Sequence, residues 1–188
     1  MVANFWNEAC KYGAIIGAVM SAGHVAQQSA MLSGRVTMMG LMWLFLAVVY
    51  IVLLCGFLRR RRERYDAETG FPFAHGFSFV LVMILLSALI KGVVIYFYRS
   101  VAVGYDDYVE KLVATMNGAV SQGGGLPASM AGMYADMIRQ IQELPEPSIL
   151  ATVWGSVADN LFVGTVLALI LAGIFARAPR PFGPETEA

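Results

Sequence analysis

Polar and ionisable side chains inside long apolar stretches are the residues of this chain best suited to chemistry. A charge at such depth costs at least ~2.5 kcal/mol unless it finds a partner. Lys91 lies about seven residues from one end of its apolar stretch and Asp159 about nine from the matching end of another, so at ~1.5 Å per residue their depths agree. We predict that the two side chains approach each other in a buried polar layer. The members of this layer are His24, Gln27, Gln28, Lys91, Asp159 and Asn160.

This polar layer has two interpretations. It could form a pocket for a lipid headgroup, a proton or a small anion. It could instead be a buried ion pair that holds helices in register. We favour this second interpretation, because buried polar groups often link helices in membrane proteins.

Metal-binding and catalytic patterns in the chain are weak. Methionine thioethers suit copper(I), but methionine also fills irregular apolar interfaces and no cysteine or histidine accompanies the group. The sequence Asp107-x-x-Glu110 suits a helix start better than a metal site, and His75 has no evident nucleophile beside it. We therefore predict no metal and no cofactor, and the sequence favours a protein without enzymatic activity. The methionines concerned are Met116, Met130, Met133 and Met137.

Length and composition place these residues in a membrane protein. Of the 188 residues, 58% are hydrophobic and only 14% are charged, whereas soluble domains carry roughly a quarter charged residues. The apolar residues come in runs near the ~20 residues that cross a bilayer. The 13 basic and 13 acidic side chains balance, so the chain has no strongly basic surface for nucleic acid.

The predicted fold class is all-α, a polytopic membrane protein with four transmembrane helices in a single membrane domain of residues 1–188. Residues 36–58 carry no charge and reach ~34 Å in helical form. Residues 12–34 are more polar, but Ser33-Gly34-Arg35 is too short a connection for a soluble segment to fold back. We therefore expect the first two spans to form a helical hairpin. The predicted spans are 12–34, 36–58, 77–98 and 150–176.

Basic residues near the span ends predict that both termini are cytoplasmic and that the protein lies in a bacterial inner membrane. One side holds eight of them and the other holds four. The arginine-rich segment 59–64 accounts for most of the difference and is interpreted as a stop-transfer anchor, with an anionic-lipid site as the alternative. The eight are Lys11, Arg59, Arg60, Arg61, Arg62, Arg64, Arg177 and Arg180, and the four are Arg35, Arg99, Lys111 and Arg139.

Residues 99–147 form the one sizeable aqueous segment, and its apolar residues follow helical spacing. We predict two amphipathic helices there, separated by the glycines at 123–125, outside the membrane. The second carries a broad apolar stripe that we expect to rest on the membrane, on the spans or on a partner. The residues of this predicted interface are Met130, Met133, Tyr134, Met137, Ile138 and Ile141.

Small residues recur every four positions on the first and last spans, a pattern that lets helices pack closely. These faces could join helices within one chain, or they could join the chain to a second copy or to another membrane protein. The residues are Gly13, Gly17 and Ser21 on the first span and Gly164, Ala168 and Ala172 on the last.

Short motifs are spread over most of the chain: Lys11-Tyr12-Gly13 followed by Gly17, Gly76-Phe77-Ser78-Phe79, Pro147-Ser148-Ile149, and Asn160 with Gly164. In this order they resemble a bacterial family of four-span membrane proteins classed as a domain of unknown function and common in one Gram-negative phylum. The family has no established catalytic or ligand-binding residues to carry over. Its members are often encoded near membrane-bound glycosyltransferases that use polyprenyl-phosphate carriers, so the resemblance implies that a partnership of that sort is possible.

The leading functional hypothesis is a non-catalytic accessory or assembly subunit of a membrane enzyme or complex, such as a polyprenyl-phosphate glycosyltransferase. It rests on packing faces without a defensible reaction centre. The alternative is a carrier or binder of a lipid or small solute that uses the polar layer around Lys91 and Asp159. Expected partners are membrane lipid and either another membrane protein or a second copy of the chain, but not nucleic acid.

Overall fold

The protein folds as a set of long helices, and the predicted all-helical class is confirmed. A computed structural model describes residues 4–66 and 68–179, so Arg180 and most of the predicted cytoplasmic tail 177–188 lie outside the described residues. In the described ranges the extended structure is a single antiparallel bridge between Phe71 and Arg177. The helices are α1 (Phe5–Leu32), α2 (Val36–Arg62), α3 (Phe73–Phe97), α4 (Tyr105–Gln122), α5 (Ala128–Glu143) and α6 (Ile149–Phe175).

Three helical segments are long and apolar enough to cross a membrane. They are α2, α6 and the helical stretch Phe73–Gln122, which contains α3 and α4. The helix α1 has 28 residues, which is long enough at ~1.5 Å per residue. Its mean hydropathy is lower than that of the three candidate spans, because it contains charged and amide side chains.

The region after α3 differs from the sequence-based expectation. Instead of ending near Tyr98, the helix is extended by a π-helical segment, Tyr98–Gly104. Gly104 has φ of 87°, a non-helical conformation that glycine adopts without strain, and α4 begins after it at Tyr105. A helix therefore starts within two residues of the predicted position, but no side chain caps its amino terminus, and Asp107 lies 3.7 Å from Lys111 Nζ one turn on.

The central helix is α3, which packs against α1 on one side and α6 on the other. The small residues allow this close approach within the chain. Gly13 and Gly17 of α1 lie against residues 83–90 of α3, and Gly164 of α6 lies against Ile84. Ala168 and Ala172 of α6 are fully buried. Both small-residue faces therefore serve helix contacts inside the chain, which the sequence left open.

The helix α5 contacts the rest of the chain through α4. Tyr134 Oη donates a hydrogen bond to Asn117 Oδ1 at 2.9 Å, and Tyr134, Ile138 and Ile141 are half-buried. Met130, Met133 and Met137 remain exposed, at 44%, 66% and 40%. The predicted stripe is therefore divided, because its tyrosine and isoleucines are half-buried and its methionines stay uncovered.

Candidate functional site

A cavity of about 350 Å³ lies between the carboxyl-terminal ends of α1 and α3 and the amino-terminal end of α6, and we call it the outer pocket after the predicted orientation. Three residues of the predicted polar layer line it, which are His24, Lys91 and Asp159. Each comes from a different helix, so the pocket depends on the packing of α1 and α6 on α3. The remaining lining residues are Ile95, Arg99, Pro147, Ala151, Thr152, Gly155 and Ser156.

The other predicted members of the layer surround the pocket or lie apart from it. Gln28 is buried and hydrogen-bonds to His24. Gln27 is half-buried on α1, and Asn160 Nδ2 donates to the Ser156 carbonyl oxygen of its own helix at 2.6 Å. Lys91 and Asp159 share the pocket, but among the described residues they do not approach within the 4.0 Å of an ion pair. The two charges therefore line the same pocket without forming a direct ion pair.

A chain of hydrogen bonds orients the side chains along one wall of the outer pocket. Arg99 Nε donates to Gln28 Oε1 at 3.2 Å, and Gln28 Nε2 lies 3.0 Å from His24 Nε2. Arginine can only donate, so the amide oxygen of Gln28 must face Arg99 and its NH₂ must face the histidine. His24 Nε2 is then the acceptor, and the ring carries its proton on Nδ1.

Arg99 is a pocket residue that sequence reasoning missed. It was counted only as an outer basic residue, because it follows the apolar run and not a polar pattern. Its guanidinium lies over the ring of Tyr108 in α4, 4.9 Å from the centroid. One feature of the sequence could have indicated this role. Arg99 directly follows the aromatic residues 96–98 at the end of an apolar run, where a long basic side chain can extend back along its helix.

The charges of the outer pocket favour an anion. Lys91 and Arg99 carry two positive charges and Asp159 carries one negative charge, with His24 neutral in the arrangement above. Lysine and arginine form strong charge-assisted hydrogen bonds to phosphate and carboxylate oxygens. Within the described residues, no group of three or more His, Cys, Asp or Glu side chains could hold a metal ion.

A second polar cluster lies at the opposite end of α1 and was also missed. Glu8 accepts a hydrogen bond from Arg61 Nη1 at 2.8 Å and forms an ion pair with Arg64. Arg61 Nε donates to His75 Nε2 at 3.3 Å, and Tyr65 Oη lies 2.8 Å from the same nitrogen. The Arg61 side chain is only 6% exposed. This cluster joins α1, α2 and α3. Because the charge of Arg61 is already paired with Glu8, the cluster has little capacity left to bind a ligand.

Part of the arginine-rich segment therefore differs from the stop-transfer interpretation. Arg61 turns into the protein, where its guanidinium lies 5.6 to 5.9 Å from the ring centroids of Phe5, Tyr65 and Phe79. The sequence carried no direct signal for this, since the partner carboxylate is 53 residues away.

Comparison with known proteins identifies one family. A family model described as "Protein of unknown function (DUF4199)" matches residues 11–177. No curated protein and no solved structure matches the chain.

Proposed function

Because the chain belongs to the family Protein of unknown function (DUF4199), whose description assigns no activity, we propose a function from the outer pocket. The protein binds an anionic lipid headgroup or a small anionic solute in this pocket and acts as a binder or carrier. The observation that carries this proposal is the excess of positive charge in the pocket, where Lys91 and Arg99 face the single carboxylate of Asp159. The proposal favours the second of the two functions considered from sequence.

The proposed topology has four spans, with both termini in the cytoplasm of a bacterium and the protein in its inner membrane. The helix α1 counts as a span because Gly13 and Gly17 lie against residues 83–90 of α3, a candidate span, so both helices run through the same layer. The excess of basic residues beside residues 59–64 supports the orientation.

Thiol labelling tests this topology in a variant without the native cysteines. A cysteine at the exposed position Ser121 should react with a membrane-impermeant reagent from outside the cell, and one at Glu63 should react only after the membrane is opened. The opposite pattern would mean that the orientation is reversed. If the cysteines at positions 63 and 121 both reacted from the same side, the chain would not cross the membrane an odd number of times between them, and the proposed topology would be wrong.

Each charged group has a defined part in the proposed binding. Arg99, held by Gln28 and by the ring of Tyr108, presents a fixed guanidinium. Lys91 supplies an ammonium group from the same helix, two turns deeper, and His24 lines the same pocket. Asp159 limits the net charge of the pocket to about one, which suits a monoanionic phosphate or carboxylate.

The test is purification from the native host in mild detergent, with bound lipids and small anions measured by mass spectrometry. Lys91→Met should reduce the amount of retained anion about tenfold or more, since a charge-assisted hydrogen bond contributes roughly a factor of ten to affinity. The control is Lys111→Met, which removes the same charge from an exposed site on α4 outside the outer pocket. Full retention by Lys91→Met, or an equal loss in both variants, would contradict the proposal.

A second candidate function is the accessory or assembly subunit. The observation that favours it is the exposed methionine row on α5, which stays uncovered while Tyr134 of the same helix contacts α4. The partner suggested by the resemblance is a membrane glycosyltransferase that uses a polyprenyl-phosphate carrier. The same purification tests this candidate, because an accessory subunit should retain a stoichiometric protein partner. Recovery of the chain alone at every detergent strength would exclude it.

A further inference from the structure

The arginines at the end of α2 are divided between two environments. Arg61 and Arg64 pair with Glu8. Arg59 and Arg62 instead line a separate cavity of about 570 Å³ together with Arg177, which follows α6, and we call it the basic cavity. Its other lining residues are Glu63, Tyr65 and Phe175.

The basic cavity has more positive charge than its own residues neutralise. Glu63 is its single acidic lining residue, and it pairs with Arg59, whose Nε lies 3.0 Å from Glu63 Oε1. Within residues 4–66 and 68–179, no carboxylate oxygen lies within 4.0 Å of the guanidinium of Arg62 or Arg177. Two guanidinium groups in one cavity are thus without a counter-charge from the described chain.

The backbone holds Arg177 in place beside α2. The Phe71 amide donates to the Arg177 carbonyl oxygen at 2.8 Å, and the Arg177 amide donates back to Phe71 at 2.9 Å. Phe71 is 1% exposed, so this bridge is anchored in the core. Gly70, with φ of 65°, permits the contact, because a Cβ there would lie 2.5 Å from the Arg177 carbonyl oxygen. The fold therefore fixes the position of Arg177 near residues 59–62.

The basic cavity lies where the apolar helices α2 and α6 end. The uncharged run of α2 stops at Leu58, one residue before Arg59, and α6 stops at Phe175, two residues before Arg177. In a bilayer this is the depth of the phosphate groups, and Tyr65 and Phe175 add an aromatic wall of the kind found at that depth. Arginine is also suited to phosphate, because its planar donors can bind two oxygens at once.

We infer that the basic cavity binds the phosphate group of an anionic phospholipid through Arg62 and Arg177. The site is independent of the outer pocket, because Arg177 lies 18 residues beyond Asp159 in sequence, about 27 Å along a helix. The lipid would join α2 and α6 at their ends. Inorganic phosphate offers the same chemistry without acyl chains, so the test separates the two sources.

Native mass spectrometry of the detergent-purified protein tests this inference, with palmitoyl-oleoyl phosphatidylglycerol, the matching phosphatidylcholine and inorganic phosphate as probes. Phosphatidylglycerol should bind more tightly than either of the others. In the double variant Arg62→Gln/Arg177→Gln its affinity should fall about tenfold or more, the loss expected for charge-assisted hydrogen bonds to phosphate. The control Lys11→Gln/Arg60→Gln removes the same charge at exposed residues outside the basic cavity, and should change the affinity less than about twofold.

The lysine variant Arg62→Lys/Arg177→Lys keeps the charge but loses the planar donors, and should restore part of the affinity. Circular dichroism confirms that each variant is folded before binding is compared. An equal loss in the control would mean that Arg62 and Arg177 form no specific site. Equal binding of the two phospholipids would mean that the cavity does not select an anionic lipid. Either result would overturn the inference. Inorganic phosphate binding as tightly as phosphatidylglycerol would overturn the lipid assignment.

Discussion

Glu8→Ala should lower the free energy of unfolding by about 3 kcal/mol or more, the loss measured when one partner of a buried ion pair is removed. Glu8 neutralises two arginines, and one of them, Arg61, is 6% exposed and enclosed by aromatic rings. Without the carboxylate, the Arg61 guanidinium stays buried with a neutral histidine as its remaining hydrogen-bond acceptor. The packing of α1 on α2 and α3 near the amino terminus should then loosen.

Unfolding in mixed detergent micelles, followed by circular dichroism, measures this change. Glu63→Ala is the matched control, because Glu63 and Arg59 form an exposed pair whose side chains are 60% and 73% exposed. Such surface pairs contribute roughly 0.5 kcal/mol. In Glu8→Ala/Arg61→Met, where the stranded charge is also removed, part of the stability should return. Equal, small losses for Glu8→Ala and Glu63→Ala would show that the cluster does not hold the helices together.

Gly92→Leu should be comparably destabilising, by about 3 kcal/mol. A Cβ at Gly92 would lie 2.7 Å from Val153 Cα and 3.1 Å from Ser156 Cβ, so the added side chain meets the backbone of α6. A backbone atom cannot turn aside as a side chain end can. The α3 and α6 helices would have to separate, and the buried contacts around Ile84 and Ala168 would be lost along with the wall of the outer pocket.

Gly173→Leu is the control for this substitution. Gly173 is on α6, and a Cβ there would have no atom within 4 Å. Leucine favours a helix over glycine by nearly 1 kcal/mol, so this variant should be as stable as the parent or slightly more so. The same micelle unfolding experiment compares the two. A neutral Gly92→Leu would mean that α3 and α6 do not pack as closely as described.

The helices themselves could be predicted well from the sequence, because run length and periodicity are local properties. The predicted span 36–58 lies within α2, and 77–98 and 150–176 differ from α3 and α6 by a few residues. The error came at residues 98–104, where the helix was expected to end near Tyr98 and is instead extended by a π-helical segment as far as Gly104. The apolar pattern shows which face of a helix is buried, but it does not show the residue at which the backbone leaves the helical conformation.

The candidate site could be predicted in part. The depths of Lys91 and Asp159 follow from the fixed rise of an α-helix, so their presence at one level needed only the sequence. Whether they touch depends on the rotation of α3 and α6 about their own axes. That rotation is determined by the close contacts of Gly92 and Gly164, and the result is a cavity between the two charges.

The amino-acid sequence alone was sufficient for a helical membrane protein, for the extent of its apolar segments and for the level of its buried polar residues, since each of these depends on composition and on spacing along one chain. Tertiary packing was needed for everything that joins distant segments. Glu8 with Arg61, Arg99 with Gln28, and Arg62 beside Arg177 each bring together residues more than 50 positions apart. Such pairs form because α1, α2 and α6 pack with α3 in a single arrangement and because the bridge between Phe71 and Arg177 fixes the chain after α6. A sequence taken one segment at a time contains no record of that arrangement.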